Sequence, residues 1–400
     1  MEKQNDRLII ISGLFIVLQL ILDFIGTRWL TGREITTFLV VAKGIKSLFL
    51  LLMIVVLFQR KVYLPLYGLF GLGILVFLGQ LTLHGSWREI PWGEVSREWM
   101  LYGGGIIIAF FFQTLHRQGT SSKLTFMLYF TIGVILAVCF SVLLGILFDI
   151  PLFKTYRGGL RFGYTGVLHK SITATYFFIG SICLSYYYTY RQPKVRPWIF
   201  FVILCSSFII GTKGIYLFNG FFFVYVCWVH QVYKKRLFYG IITLIGVVLV
   251  LFRDQIMTRL NSTYLLFQSI YQEHGWLTSL MSFRNEIFKE KAVVYFEKWK
   301  GSNYLFGGKL WNQGLFEMSL VDLYVFCGGI GSICVVYLYY KGGLIHPKEK
   351  ETKQYIFFCY LSILIISIFA GQLFVNFSSI FFILWVLFLI NNGEIVKKID

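Results

Sequence analysis

The chain has 400 residues, of which 57% are hydrophobic and only 14% charged, and 37 Lys and Arg against 19 Asp and Glu give a formal charge of +18. A water-soluble domain carries about 25% charged residues, so an ordinary soluble globular protein is excluded. The basic residues sit in short loops between apolar runs, not on a contiguous face interleaved with aromatics. That excludes a nucleic-acid-binding domain and points to topology signals and anionic headgroups.

The apolar mass is cut into runs of roughly 16 to 25 residues, the length that spans a ~30 Å hydrocarbon layer as helix. In chain order about twelve spans are predicted: 8–25, 35–58, 63–83, 101–116, 124–148, 171–190, 197–211, 215–232, 237–252, 318–340, 355–373 and 377–391. The first run is long enough to stay as a helix instead of being a cleaved signal. The pattern is an all-α polytopic membrane protein, one integral domain over 1–400. With the N-terminus inside, the inner loops hold about 14 Lys and Arg and the short outer loops about 9, as the positive-inside rule requires. Both termini are therefore expected in the cytoplasm. All seven cysteines (139, 183, 205, 227, 327, 334, 359) fall inside apolar runs, which implies packing residues and neither a disulfide framework nor a zinc site.

One connection departs from the short loops. Residues 253–317 form a long extracytoplasmic segment, and long loops without function are rare. Within it, "SFRNEIFKEKAVVYFEKWK" (282–300) reads as an amphipathic helix. Phe288, Ala292, Tyr295 and Trp299 share one face, and Glu286, Lys289, Glu290, Glu297 and Lys298 occupy the rest. Such a helix lies on a membrane surface or caps a cavity.

The outer loops bring arginine next to lipid, where charge is costly unless partnered. In "KTYRGGLRFGYTGVLHK" (154–170), Arg157 and Arg161 stand at i, i+4 spacing among glycines. Their planar donor forks suit phosphate; headgroup contact or a loop salt bridge is the plainer account. Arg284 opens the amphipathic helix and either serves the same anion or pairs with Glu286 or Glu290. Lys213, in the tight outer turn "IIGTKGIY", either faces that cavity or snorkels. Glu317 and Asp322 begin the span that contains "CGGIG". Five residues apart on a helix, they are about 140° from each other, which argues against a paired-carboxylate glycosidase. One is free to act as a base while the other pairs with an arginine or caps the helix. Lys43 and Lys46 in the second span and Asp23 in the first suggest an interhelical Lys–Asp pair, with a proton or ion relay as the transporter account. Tyr156, Trp276, Trp299 and Trp311 are candidates for stacking on sugars or for interfacial anchoring.

The stretch "FEMSLVDLYVFCGGIGS" resembles the signature of the O-antigen ligase and polysaccharide repeat-unit polymerase family. Glu317-Met318 and Asp322 fit, Gly328 to Gly331 supply the glycines, and Ser319 stands where the family has Asp. "RFGYTGVLHKSITA" (161–174) is similar to the family's Arg-x-x-Gly-x-Phe segment, with His169 and Lys170 where Pro-Asn or Asn-Glu is common. "IIGTKGIYL" (209–217) looks like its Thr-Gly-Ser-Arg/Lys turn. "SFRNEIFKEKAVVYFEKWKGSNYLFGGK" (282–309) resembles its Ser-x-Arg, helix and "LFGxG" stretch. The quoted segments cover residues 161–333.

The resemblance implies a C-type glycosyltransferase-like fold and a glycan donor on undecaprenyl diphosphate at the outer face of a bacterial cytoplasmic membrane. Family ligases carry a histidine where this chain has Glu317, which favours a polymerase of capsule, exopolysaccharide or O-antigen repeat units. Glu317, Arg284 and Arg161 are then the catalytic candidates, and Arg157, Lys213, His169 and Asp322 the substrate-binding ones. No cofactor and no metal are expected. Partners would be the lipid-linked oligosaccharide, membrane lipids, a chain-length regulator and a flippase. The alternatives are ligase-type transfer to another acceptor, a polysaccharide or solute transporter, and a scaffold for an envelope complex.

Overall fold

A computed structural model describes residues 2–26, 33–117, 123–156, 161–168, 170–231, 234, 253–343 and 349–393. They are almost wholly helical; the β pairing among them is an isolated antiparallel bridge between Lys154 and Tyr164. The helices are α1 (Glu2–Phe24), α2 (Arg33–Gln59), α3 (Leu64–His84), α4 (Trp92–Arg117), α5 (Leu124–Leu147), α6 (Ser171–Tyr186), α7 (Pro197–Ile209), α8 (Lys213–His230), α9 (Arg253–Met281), α10 (Arg284–Lys298), α11 (Gly301–Phe306), α12 (Ser319–Gly343), α13 (Lys350–Ala370) and α14 (Phe377–Asn391). Among the described residues seven helical stretches are long and apolar enough to cross a membrane: Gln4–Phe24, Phe38–Gln59, Leu64–His84, Trp92–Arg117, Leu124–Leu147, Ser319–Gly343 and Lys350–Ile368. Pro197–Ile209 and Phe377–Asn391 are apolar but shorter. The chain is thus a polytopic helical membrane protein. The span expected over 237–252 lies outside the described residues.

Two helices apolar on every side, α6 and α14, form the centre, because such helices must be surrounded. Every residue of α14 is buried. It packs against α6, α4 and α1, with Phe382 stacked on Phe177 at 4.3 Å between centroids and Phe112 ringed by Phe381, Trp385 and Phe388. The outer helices leave Val40, Leu48, Phe70, Phe140 and Phe201 exposed. An apolar surface of that extent suits lipid rather than water.

A charge pair inside the bundle is partnered. Lys46 on α2 lies 2.8 Å from Asp23 on α1, and Ser378 on α14 donates to the other Asp23 oxygen at 2.7 Å. This is the interhelical Lys–Asp pair expected from the sequence. At one end of the bundle Arg60 reaches Gln4 and Asn5 and Arg191 pairs with Glu351. The loops that carry the candidate site gather at the other.

Two elements differ from the sequence expectation. Helix α4 begins at Trp92, not at 101, because Glu98, which reads as loop, is buried against a lysine. The 253–317 segment contains a further 29-residue helix, α9, kinked at Gly275. Most of its described side chains are exposed, so no apolar stripe announces it. The amphipathic helix α10 turns Tyr295 and Trp299 onto Leu310, Phe316 and Val325 in a small cluster of their own; it caps the α12 entrance.

Candidate functional site

The α12 entrance rests on a wedge of backbone. After α10 the chain runs through α11 and Gly307-Gly308 between α3 and α12. Carbonyls of Phe306 and Gly307 lie against Gly79 of α3, and Gly307 lies against Phe326 and Gly328 of α12. A Cβ at Gly79 or Gly328 would overlap backbone atoms of the wedge. Gly328 sits at φ 67°, a kink in α12. Irregular backbone at this depth survives only when its polar groups are satisfied within protein, and here they are. Fully buried Asn303 donates to the Gly79 and Gly307 carbonyls at 2.9 and 2.7 Å. Gly308 N–H donates to Val325 O at 3.0 Å, and the Trp299 indole to Gly308 O at 2.8 Å. Lys309 then meets Glu98 of α4 at 2.6 and 2.8 Å, each side chain 6% exposed. Gly328 of "CGGIG" therefore admits the wedge, while Gly331 makes room for Cys327 and Leu72.

Glu317 follows it at φ 60°, a left-handed conformation that a non-glycine residue keeps only when its surroundings impose it. Asp322, one turn into α12 and 4% exposed, accepts the Phe316 N–H at 2.7 Å and the Met318 N–H at 3.1 Å on its two oxygens. On the far side, Gly371 in the α13–α14 turn lies against the Glu317 backbone. The Ser319 hydroxyl accepts the Leu373 N–H at 3.2 Å, so that turn is tied to the start of α12. Lys291 of α10 donates to the Leu315 carbonyl at 2.5 Å, and burial lowers the pKa of its ammonium.

Arg284 is presented by two consecutive left-handed residues, Ser282 at φ 52° and Phe283 at φ 67°. Glu286 organises the turn by accepting from Thr278 at 3.2 Å and lying 3.1 Å from His274. Arg284 Nη2 lies 3.4 Å from Glu317 Oε2, with the Arg284 side chain 17% exposed and Glu317 47%.

Two other turns bring up Arg161 and Lys213. They cross backbone to backbone: Gly163 lies against the Ile210 carbonyl and Gly211, at φ 74°, against the Phe162 carbonyl. Tyr164 N–H donates to Ile209 O at 2.9 Å. Phe267 of α9 gathers both cations, with Arg161 Cζ 5.3 Å and Lys213 Nζ 4.2 Å from its ring centroid. Arg161 also lies 5.4 Å from the Tyr156 ring. Lys213 donates to the Ser279 carbonyl. Burial, then the charges of Arg161 and Arg284, push the Lys213 ammonium down to about 8. Two guanidinium groups that oppose a neighbouring ammonium's charge form, with it, a site that favours an anion.

The structure thus brings Arg161, Lys213, Arg284 and Glu317 to one end of the bundle. It places Asp322 behind Glu317, with both carboxylate oxygens on backbone amides. Arg157 and His169 lie outside the described residues. Phe267, Lys291 and the Glu98–Lys309 pair were not read from the sequence, which gives no local signal for partners this far apart.

Fold and cluster together define a multi-pass helical membrane protein with a cationic site and one acid at its loop-rich end. Compared with protein-family models, with curated proteins and with solved structures, the chain matches none of them.

Proposed function

We propose that this protein joins undecaprenyl-diphosphate-linked oligosaccharide repeat units into a surface polysaccharide at the outer face of a bacterial cytoplasmic membrane. The twelve-span layout, the C-type glycosyltransferase-like fold and the cytoplasmic placing of both termini belong to this reading. One observation carries it: Arg161 and Lys213 meet at Phe267, and Arg284, from a third segment, lies near enough for its charge to act on Lys213, with Glu317 beside Arg284.

In the reaction, the acceptor hydroxyl oxygen attacks the anomeric carbon of the donor. The bond from that carbon to the diphosphate oxygen breaks, and its electron pair leaves with the diphosphate. The three cations stabilise the charge that develops there, in the role a divalent metal plays elsewhere. Glu317 takes the acceptor proton. Its 3.4 Å contact with Arg284 orients it, and its half-exposed carboxylate stays reachable. The bond energy resides in the sugar–diphosphate link, so no nucleotide or other cofactor takes part. A chain-length regulator and a flippase are the expected protein partners.

The test is Arg284→Ala, Arg161→Ala and Glu317→Gln, each expressed in cells lacking the native protein. Each should leave single repeat units on the carrier while the protein remains inserted. Normal chain lengths from all three end this reading. Transfer of one finished glycan to another acceptor, with no polymer, would instead identify a ligase.

A further inference from the structure

At the same end of the bundle, beside the Glu98–Lys309 pair, a cavity opens. It holds about 530 Å³ and is walled by the α3–α4 loop, the end of α10 and the turn after the wedge. His84, Glu89, Lys298, Trp311 and Asn312 supply its chemistry. Lys309, itself fixed by Glu98, lies 4.9 Å from the Trp311 ring centroid and holds the indole in place. Of the lining residues, Trp311 and His84 each carry an enclosed ring nitrogen without a hydrogen-bond partner in the protein. Buried polar atoms are nearly always satisfied, and those left over call for an explanation.

We infer that this cavity is a glycan subsite, which holds the acceptor oligosaccharide with a sugar ring against Trp311. The inference rests on the glycan-joining reading above. A sugar ring has an apolar C–H face that suits an aromatic plane and a rim of hydroxyls that both donate and accept. The wall offers that combination: one indole, an acceptor in Glu89, a donor in Lys298, and an amide in Asn312 that does both. Carboxylate and ammonium oppose each other here, so the cavity lacks the single sign of charge that marks the Arg161–Lys213–Arg284 site. It selects a polyhydroxyl ligand over a diphosphate. The position fits as well. Trp311 is joined to Glu317 by six residues, which span at most about 20 Å, and Tyr295 links the two by hydrogen-bonding Leu310 N–H at 3.1 Å and packing on Phe316 at 5.5 Å. A glycan seated in the cavity therefore lies within an oligosaccharide's length of Glu317.

The experiment uses the full chain carrying Glu317→Gln in lipid nanodiscs, so that no turnover is required. The probe is short lipid-free oligosaccharide released by mild acid from the host cell's own surface polysaccharide, followed by saturation-transfer NMR. Binding should be detected, and inorganic pyrophosphate should not displace it. Trp311→Ala should weaken it roughly fivefold to tenfold, the loss of one stacked ring, while Trp311→Phe should retain most of it. Should Trp311→Ala fail to fold, Asn312→Ala and Glu89→Gln, both at exposed positions, carry the test and should each weaken binding. No binding to the parent protein, displacement by pyrophosphate, or native affinity in the folded wall variants overturns the inference. Normal polymer from the Arg161, Arg284 and Glu317 variants, with oligosaccharide binding still dependent on Trp311, would remove the catalytic reading and leave the glycan site standing.

Discussion

Asp322 holds Glu317 from behind: its two carboxylate oxygens take the amide protons of Phe316 and Met318, the residues on either side of Glu317. The candidate base therefore sits in a left-handed conformation that its neighbour enforces. Asp322→Asn leaves one good acceptor and turns an NH₂ toward a backbone N–H. A buried donor without an acceptor costs about 1–3 kcal/mol, and Glu317 would relax toward ordinary backbone angles. The variant should insert, unfold at lower temperature in detergent, and polymerise poorly with donor affinity little changed. Native polymer length from Asp322→Asn would show that the Glu317 conformation does not matter.

Glu98 and Lys309 form an ion pair with both side chains nearly closed to solvent. Removing one partner strands the other charge, at a cost of about 3–5 kcal/mol. Glu98→Leu and Lys309→Met should each lower the unfolding midpoint sharply, whereas the double variant should recover most of the loss. A double-mutant cycle on detergent-solubilised protein measures this coupling. Additive losses would mean that the two residues act separately.

The membrane helices were legible because lipid leaves few choices: an apolar run of spanning length has to be helix. The loop residues Arg161, Lys213, Arg284 and Glu317 could be singled out because charge beside apolar spans needs a reason. Phe267 could not, since nothing in "TYLLFQSIY" marks that ring over the others. Glu98 was hidden for the opposite reason. Beside Glu94 and Arg97 it reads as solvated loop, and only Lys309, 211 residues on, turns it inward. Asp322 was visible as an acid, but whether it faced substrate or backbone depended on the left-handed turn at Glu317, which the sequence does not announce with a glycine.

The wedge predicts a steric test. At Gly328, φ is 67° and an added methyl would overlap the backbone of Leu305 and Gly307. Gly328→Ala must either straighten α12 or expel the wedge. It should lower the unfolding midpoint strongly. Gly133→Ala, inside α5 with open space around it, should leave the midpoint at the native value or raise it, since Ala favours helix over Gly by about 0.5–1 kcal/mol. Equal midpoints for the two variants would contradict the close crossing of wedge and kink.

Lys213 gives the site a pH dependence of definite sign. Burial and the neighbouring arginines bring its ammonium down to about 8 from an ordinary value of 10.5. Below pH 8 folded and unfolded states are both protonated, and the folded state bears the full cost of three crowded cations. Between pH 8 and 10.5 the unfolded chain binds the extra proton, so this group's contribution makes the protein more stable as pH rises. Anion binding runs the other way: above pH 8 the site loses one of its three charges, while Arg161 and Arg284 keep theirs. Affinity for inorganic pyrophosphate, measured by calorimetry on the nanodisc protein, should therefore fall as pH rises from 7 to 9. Lys213→Arg keeps its charge throughout and should flatten that fall. A native profile with no step near 8, or an unchanged step in Lys213→Arg, would place the titrating group elsewhere and remove Lys213 from the anion site.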